Sequence, residues 1–149
     1  MIIKIFFFVL LVSLTTCGFE PIYSKKSNLN ISINSFELKG EKKLNRKIIS
    51  ILNLKKSNNK ASVLKLELES SKKIDIVSRD KTGIASIYRT TITISVSLRE
   101  EDKLIKQKTF SSNFTYNNMS NKFDLTKYQN NIESDLINKL TDQILIFLN

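Results

Sequence analysis

From Tyr88 to Arg99 the chain alternates almost without a break. Tyr88, Ile92, Ile94, Val96 and Leu98 share one parity, and Arg89, Thr91, Thr93, Ser95, Ser97 and Arg99 share the other. A period of two held over that length predicts a strand with one apolar and one wet face. Upstream, Leu64, Leu66 and Leu68 alternate with Lys65, Glu67 and Glu69, and Ile74 and Ile76 resume that parity after the polar stretch Ser70 to Lys73. The segment Arg79-Asp80-Lys81-Thr82-Gly83 has the composition of a turn. Downstream, the acidic corner Glu100-Glu101-Asp102 reverses the chain into a further strand, Lys103 to about Tyr116, with Leu104, Phe110 and Phe114 on one parity. Near the start, Leu29, Ile31 and Ile33 alternate with Asn30, Ser32 and Asn34, which predicts a first strand that runs to about Leu38 and is broken by Gly40.

Two segments carry the helical period instead. From Glu41 to Lys55 the apolar residues Leu44, Ile48, Ile49, Ile51 and Leu52 fall at steps of three and four. A polar loop, Ser57 to Lys60, follows it. From Asp124 onward Leu125, Tyr128, Ile132, Leu136, Leu140, Ile144, Phe147 and Leu148 recur at the same spacing with no Pro or Gly between them. A sheet with one apolar face needs a cover, and these helices supply it. The pattern predicts an α+β two-layer sandwich, a four-stranded, mostly antiparallel sheet with two helices on one face, in the order β-α-β-β-β-α. The aromatic and Leu positions just named are its predicted core.

Composition narrows the chemistry. The 149 residues suffice for one domain and contain no His, one Cys, three Gly and one Pro. Without His there is no Ser-His or Cys-His pair, a metal site would have carboxylates and one thiol to draw on, and no glycine cluster can cradle a phosphate. An enzyme, a bound metal and a cofactor are therefore not expected. The net charge of +10 is spread along the chain and mixed with Asn and acids, the look of a solvated surface.

Residues 1–16 change the picture more. Lys4 precedes the apolar run Ile5 to Val12, and Ser13, Leu14, Thr15 and Thr16 close it, the signature of an export leader. At about 1.5 Å per residue the thirteen or so apolar-biased residues of this leader reach roughly 20 Å, short of a bilayer core of about 30 Å. Cys17 stands where this leader ends. A lone thiol in an exported chain has no intrachain partner and abuts no core. The stretch Leu14-Thr15-Thr16-Cys17-Gly18 resembles a bacterial lipobox, with Thr16 where Gly, Ala or Ser is usual. The resemblance implies cleavage before Cys17, a diacylglycerol on its sulfur and a further acyl chain, such as palmitate, on the new amino terminus. Two or three such chains anchor firmly where one does so marginally. Gly18 stands where an Asp commonly signals inner-membrane retention, so the same resemblance implies the outer membrane of a Gram-negative bacterium. Loss of Lys4 with the leader leaves 23 basic against 14 acidic side chains, a net +9 that would face the periplasm. Nucleic acid is accordingly not an expected partner. The organisation expected is a signal peptide at 1–16, an acylated tether at 17–28 containing Pro21, and a single α+β domain at 29–149.

Three segments carry a wider resemblance. Cys17-Gly18-Phe19-Glu20-Pro21-Ile22-Tyr23 is similar to the Cys-Gly-Phe-x-Pro-Leu-Tyr start of alphaproteobacterial lipopolysaccharide-assembly lipoproteins of the LptE family. Gly83-Ile84-Ala85-Ser86-Ile87-Tyr88-Arg89 resembles that family's pattern of glycine, small residues and arginine. Tyr116-Asn117, followed by Ser120 and Phe123, resembles the stretch before its last helix, with Asp124 where Ala is commoner. The resemblance implies a non-enzymatic partner of the LptD outer-membrane β-barrel, which it plugs and helps assemble, on the periplasmic side, aiding insertion of lipopolysaccharide into the outer leaflet. Lipopolysaccharide carries phosphates, which Arg grips with paired hydrogen bonds. Arg89 is the binding candidate by family position, and Arg79 and Lys81 join it by proximity. The competing expectation is a lipoprotein of similar fold acting as a scaffold or as a carrier of another amphiphile.

Overall fold

Alternation dictates four strands, and the computed structural model, which describes residues 33–54, 56 and 64–149, joins them in one sheet. The elements are β1 (Ser35–Gly40), α1 (Lys42–Ile51), β2 (Leu64–Arg79), β3 (Ala85–Glu100), β4 (Lys103–Asn117) and α2 (Lys122–Leu148). The sheet order is β1-β2-β3-β4, with β1 parallel to β2 and the remaining pairs antiparallel. The observed fold is the expected α+β arrangement in the expected order. Leader, tether, the start of the first strand at 29–32 and the loop at 57–60 lie outside the described residues.

The inward parity of the strands and the inner stripes of the helices form one cluster. Leu66 and Leu68 of β2, Ile92, Ile94, Val96 and Leu98 of β3, and Phe110 and Tyr116 of β4 meet Leu44, Ile48 and Leu52 from the α1 segment. Leu125, Ile132, Leu136, Leu140, Ile144 and Leu148 of α2 complete it. Ile137, which the three-and-four reading passed over, is fully buried there as well.

The inward polar side chains of β2 find partners, which is why the strand continues unbroken through Ser70 to Lys73. Ser70 Oγ donates to the Glu41 carbonyl at 3.2 Å, and Lys72 Nζ pairs with Glu133 of α2 at 2.6 Å. A buried carboxylate is stable only with such a partner. Gly40 ends β1 at φ +78°, where a Cβ would lie 2.0 Å from the Ser70 carbonyl oxygen, so no other residue fits. Asn45, fully buried, donates from Nδ2 to the Lys39 carbonyl at 2.7 Å and fixes the first turn of α1 to that corner.

Asn121 caps α2, its side-chain oxygen accepting the Phe123 N–H at 2.9 Å. At the other end Lys106 Nζ donates to the carbonyls of Phe147 and Leu148 at 2.8 and 3.0 Å, a cation at the negative end of the helix.

Three expected core positions differ, as does one isoleucine of the α1 stripe. Ile51 lies on the solvent side of α1, 43% exposed. Leu104 leaves the parity of Phe110 because β4 carries a bulge: Leu98 pairs with Lys106 but Arg99 with Leu104. Phe114 and Tyr128 keep inward periodicity but border a groove between β4 and α2, and both stay partly open to solvent. The acidic corner is a two-residue hairpin in which Glu101 and Asp102 both take positive φ, the geometry that suits the twist of the flanking strands.

Candidate functional site

No described helix covers the second face of the sheet. On it, cross-strand partners run Arg89 with Thr115, Thr91 with Asn113, Thr93 with Ser111 and Ser95 with Thr109. The hydroxyls partly satisfy one another: Thr93 and Ser111 are 3.2 Å apart, and Thr109 Oγ1 donates to Ser95 Oγ at 3.3 Å. Burying neutral hydroxyls that already have partners costs far less than burying charge. This strip of β3 and β4 can therefore be desolvated against another polar surface.

Charge gathers at both ends of the strip. At one end Glu37 of β1 pairs with Lys65 of β2 and with Lys39 at 2.9 Å, while Glu67 pairs with Lys65 and Arg99, each at 3.2 Å. Hydrogen bonds from Lys65 and Lys39 lower the Glu37 carboxyl from its ordinary 4.5 to about 2. The same contacts raise both lysines.

At the other end stands Arg89, exposed, its Nε donating to Thr115 Oγ1 at 3.2 Å. Asp75 is its neighbour across the β2–β3 rung and is held by Lys73 at 2.8 Å. Arg79 and Lys81 belong to the turn beyond. Asp80 organises that turn, accepting from Thr82 N–H at 2.8 Å, Thr82 Oγ1 at 2.6 Å and Ile84 N–H at 2.9 Å. The Thr82 hydroxyl bond leads the contacts that hold its carboxyl below the ordinary value. Arg79 is tied inward, donating to the Gly83 carbonyl at 2.9 Å. The rung of Arg79 with Ala85 lies four β3 residues from that of Asp75 with Arg89, about 13 Å at roughly 3.3 Å per residue. Arg79 and Lys81 are thus brought together, and Arg89 is set apart from them on the sheet face. Cys17 lies outside the described residues.

Other features escaped the sequence reading. Ile84, at the turn, is 61% exposed, and Phe123, at the start of α2, 75%. Ile74 and Ile76 hold inward parity as expected, yet they project beyond the helical cover and stay open. The groove of about 260 Å³ is lined by Phe114, Tyr128, Ile132 and Leu136, with Asp135 and Lys139 at its rim. Tertiary placement of α2 over β4 creates it, and no local pattern signals that. Among the described residues no cluster of three metal-ligating side chains occurs, and no helix is long and apolar enough to cross a membrane.

Solved structures share this architecture. Rare lipoprotein B from Shewanella oneidensis is similar with a TM-score of 0.57 at 15% identity, over 77% of this chain and 93% of that one. A minor lipoprotein from Acinetobacter baumannii gives 0.62 at 14% identity, over 78% and 90%. Lipoprotein B from Nitrosomonas europaea gives 0.57 at 9% identity, over 76% and 79%. At these identities the likeness is one of fold. The sequence matches none of the curated proteins. The family model described as LptE, lipopolysaccharide-assembly, matches residues 30–148, which takes in every strand and helix of the sandwich. With the sheet order, the two-helix cover and that match in agreement, the chain belongs to the LptE lipopolysaccharide-assembly family.

Proposed function

We propose that this chain is a non-enzymatic outer-membrane lipoprotein that assists assembly of an LptD-type β-barrel, plugs its lumen from the periplasmic side and helps lipopolysaccharide reach the outer leaflet. Residues 1–16 direct export, Cys17 carries the acyl anchor, residues 17–28 tether, and the domain from 29 onward does the docking. The observation that carries the reading is the uncharged Thr/Ser strip of β3 and β4 in a chain of this family. A polar barrel lumen is a surface such a strip meets at modest desolvation cost.

Arg89 is the proposed phosphate contact. Among the described residues only its Nε is engaged, by Thr115, so the terminal amino groups can fork onto a phosphate. Arg79 and Lys81 add positive charge at the adjacent turn.

Depletion of the chain should reduce both surface lipopolysaccharide and mature barrel, and pull-down from outer membranes should recover the barrel. Normal surface lipopolysaccharide on depletion would sink the reading. Cys17→Ser should leave the precursor uncleaved or mislocalised. Arg89→Ala should weaken lipopolysaccharide binding clearly and Arg89→Lys less so, since Lys keeps charge but loses the fork. If Arg89→Ala binds as wild type at low salt, Arg89 is not the contact.

A further inference from the structure

β2 is covered unevenly along its outer edge. β1 pairs with it from Lys65 to Ser70 and then turns away at Gly40. From Ser71 to Arg79 no described strand lies on that side. The direction of its backbone groups follows from the covered part. Leu64 and Ser70 present their carbonyls to the N–H groups of Asn34 and Glu41, so even-numbered residues of β2 point their backbone toward the β1 side. Alternate residues of a strand point alike, so Lys72, Ile74 and Ile76 direct N–H and C=O outward. Their neighbourhood is apolar as well: Ile74, Ile76 and Val77 are 43%, 44% and 45% exposed. An edge with these properties is a template for another strand.

We infer that this edge pairs with a second copy of the chain, antiparallel and about a two-fold axis through Ile74. The inference goes beyond the barrel reading, because it concerns the chain when no other partner lies along β2. Charge selects the register. With Ile74 opposite Ile74, Lys73 of each copy faces Asp75 of the other, and Lys72 stands opposite Ile76 of the second copy. A one-residue shift of the axis sets Lys73 against Lys73 or Asp75 against Asp75, which is repulsive. Lys73 and Asp75 already pair within the strand at 2.8 Å, so the two copies close a square of four alternating charges on the open face. On the helix side the isoleucines of one copy cover those of the other. Ile74 and the Lys72–Ile76 rungs exchange about six backbone hydrogen bonds.

The local geometry fits the length of that contact. Beyond Ser70 toward the start of β2, the second copy would meet Gly40 and the turn into α1. The irregular pairing of β2 with β3 begins after Ile76, the point at which the strand reaches that obstacle. A bulge bends and twists a strand, so the contact is bounded at Ile76 and does not require the Asp80 turn to run on past Gly40 of the second copy.

The test is disulfide trapping in the full chain, produced in excess over the barrel so that copies without that partner are present. In a hydrogen-bonded antiparallel pair the Cα atoms lie about 5.5 Å apart, within disulfide reach. Ile74→Cys should give a covalent dimer under mild oxidation, well above Ile84→Cys at the turn tip and above the unaltered chain, whose sole cysteine is Cys17. In the Ile74→Cys background Asp75→Lys should cut the dimer about tenfold, through like charges at both symmetric rungs. Adding Lys73→Asp to it should restore the yield with the charges exchanged. Unchanged thermal melting of each variant verifies the fold. A yield from Ile74→Cys no higher than from Ile84→Cys would overturn the inference, as would a tether or other partner trapped there instead. A dimer indifferent to Asp75→Lys, or unrestored by the exchange, would overturn the register and with it the argument for a second copy.

Discussion

The two faces of β3 are built from neighbouring residues of one strand and have opposite fates. Ile92, Ile94 and Val96 are fully buried beneath α2, while Thr93 and Ser95, one residue away, lie half-exposed on the open side and bond the hydroxyls of Ser111 and Thr109. The inward face is tolerant of shape and intolerant of charge, because its stability comes from removing apolar area from water. The outward face contributes little to folding, which leaves it free to serve a partner. A substitution that moves charge from one face to the other should separate the two roles.

Ile94→Asp and Leu140→Asp should have the largest effect. Each places an unpaired carboxylate between sheet and helix, at a cost of several kcal/mol, on the order of a small domain's whole stability. Both should lack a cooperative thermal transition. Thr93→Asp, at a half-exposed position, should shift stability by no more than about 0.5 kcal/mol, yet block assembly with the barrel if the strip is the docking face. Equal melting of the three would break the comparison.

An intermediate effect is expected where one buried charge sits on the inward face. Lys72→Met leaves Glu133, buried in α2, without its partner at 2.6 Å. Breaking a buried pair costs about 3 to 5 kcal/mol, and because the Lys72 side chain is one-third exposed, about 1 to 3 kcal/mol is expected here. The double change Lys72→Met with Glu133→Leu should recover most of that loss, since an apolar replacement of both partners leaves nothing unsatisfied. Urea denaturation of the two variants checks this. A double variant as unstable as the single one would show that packing, not the orphaned carboxylate, sets the cost.

These contrasts also mark what was legible in the sequence. β3 was readable because every residue from Ile92 to Leu98 obeys one parity, and α2 because no breaker interrupts its stripe. The order of elements followed from these two periods. Leu104 was misplaced because a bulge changes parity without leaving a local signal, and Ile137 was missed because a helix crossing a sheet buries a stripe wider than a strict three-and-four series. Lys72 read as a polar interruption because its partner lies 61 residues away. The candidate site was less readable still. Arg79, Lys81 and Arg89 are close in sequence, but β3 is extended, so ten residues of chain separate them by rungs rather than gathering them into a cluster. The edge of β2 that the described strands leave open depends on where β1 stops, which Gly40 hinted at and only the pairing reveals.

The smallest effect belongs to the charged end of the open face. Glu37 titrates near 4.5 when unfolded and near 2 when folded, because Lys65 and Lys39 bond its ionised form. A lowered acid constant means the unfolded chain binds the proton first as pH falls, so the contribution is complete above about pH 4.5 and fades as pH drops toward 2. The raised values of Lys39 and Lys65 give the mirror case, a contribution present below their ordinary 10.5 and lost at higher pH. Because this cluster lies at the surface, salt should shrink the effect. Glu37→Gln should therefore melt slightly below wild type at neutral pH, with the gap closing between pH 4.5 and 2 and narrowing again in high salt. Taking the difference between the two proteins cancels the other carboxylates that titrate in the same range. A gap that stays constant across that window would mean the Glu37 contacts hold β1 by packing of the side-chain stems, and that charge on this face is as dispensable to the fold as its hydroxyls.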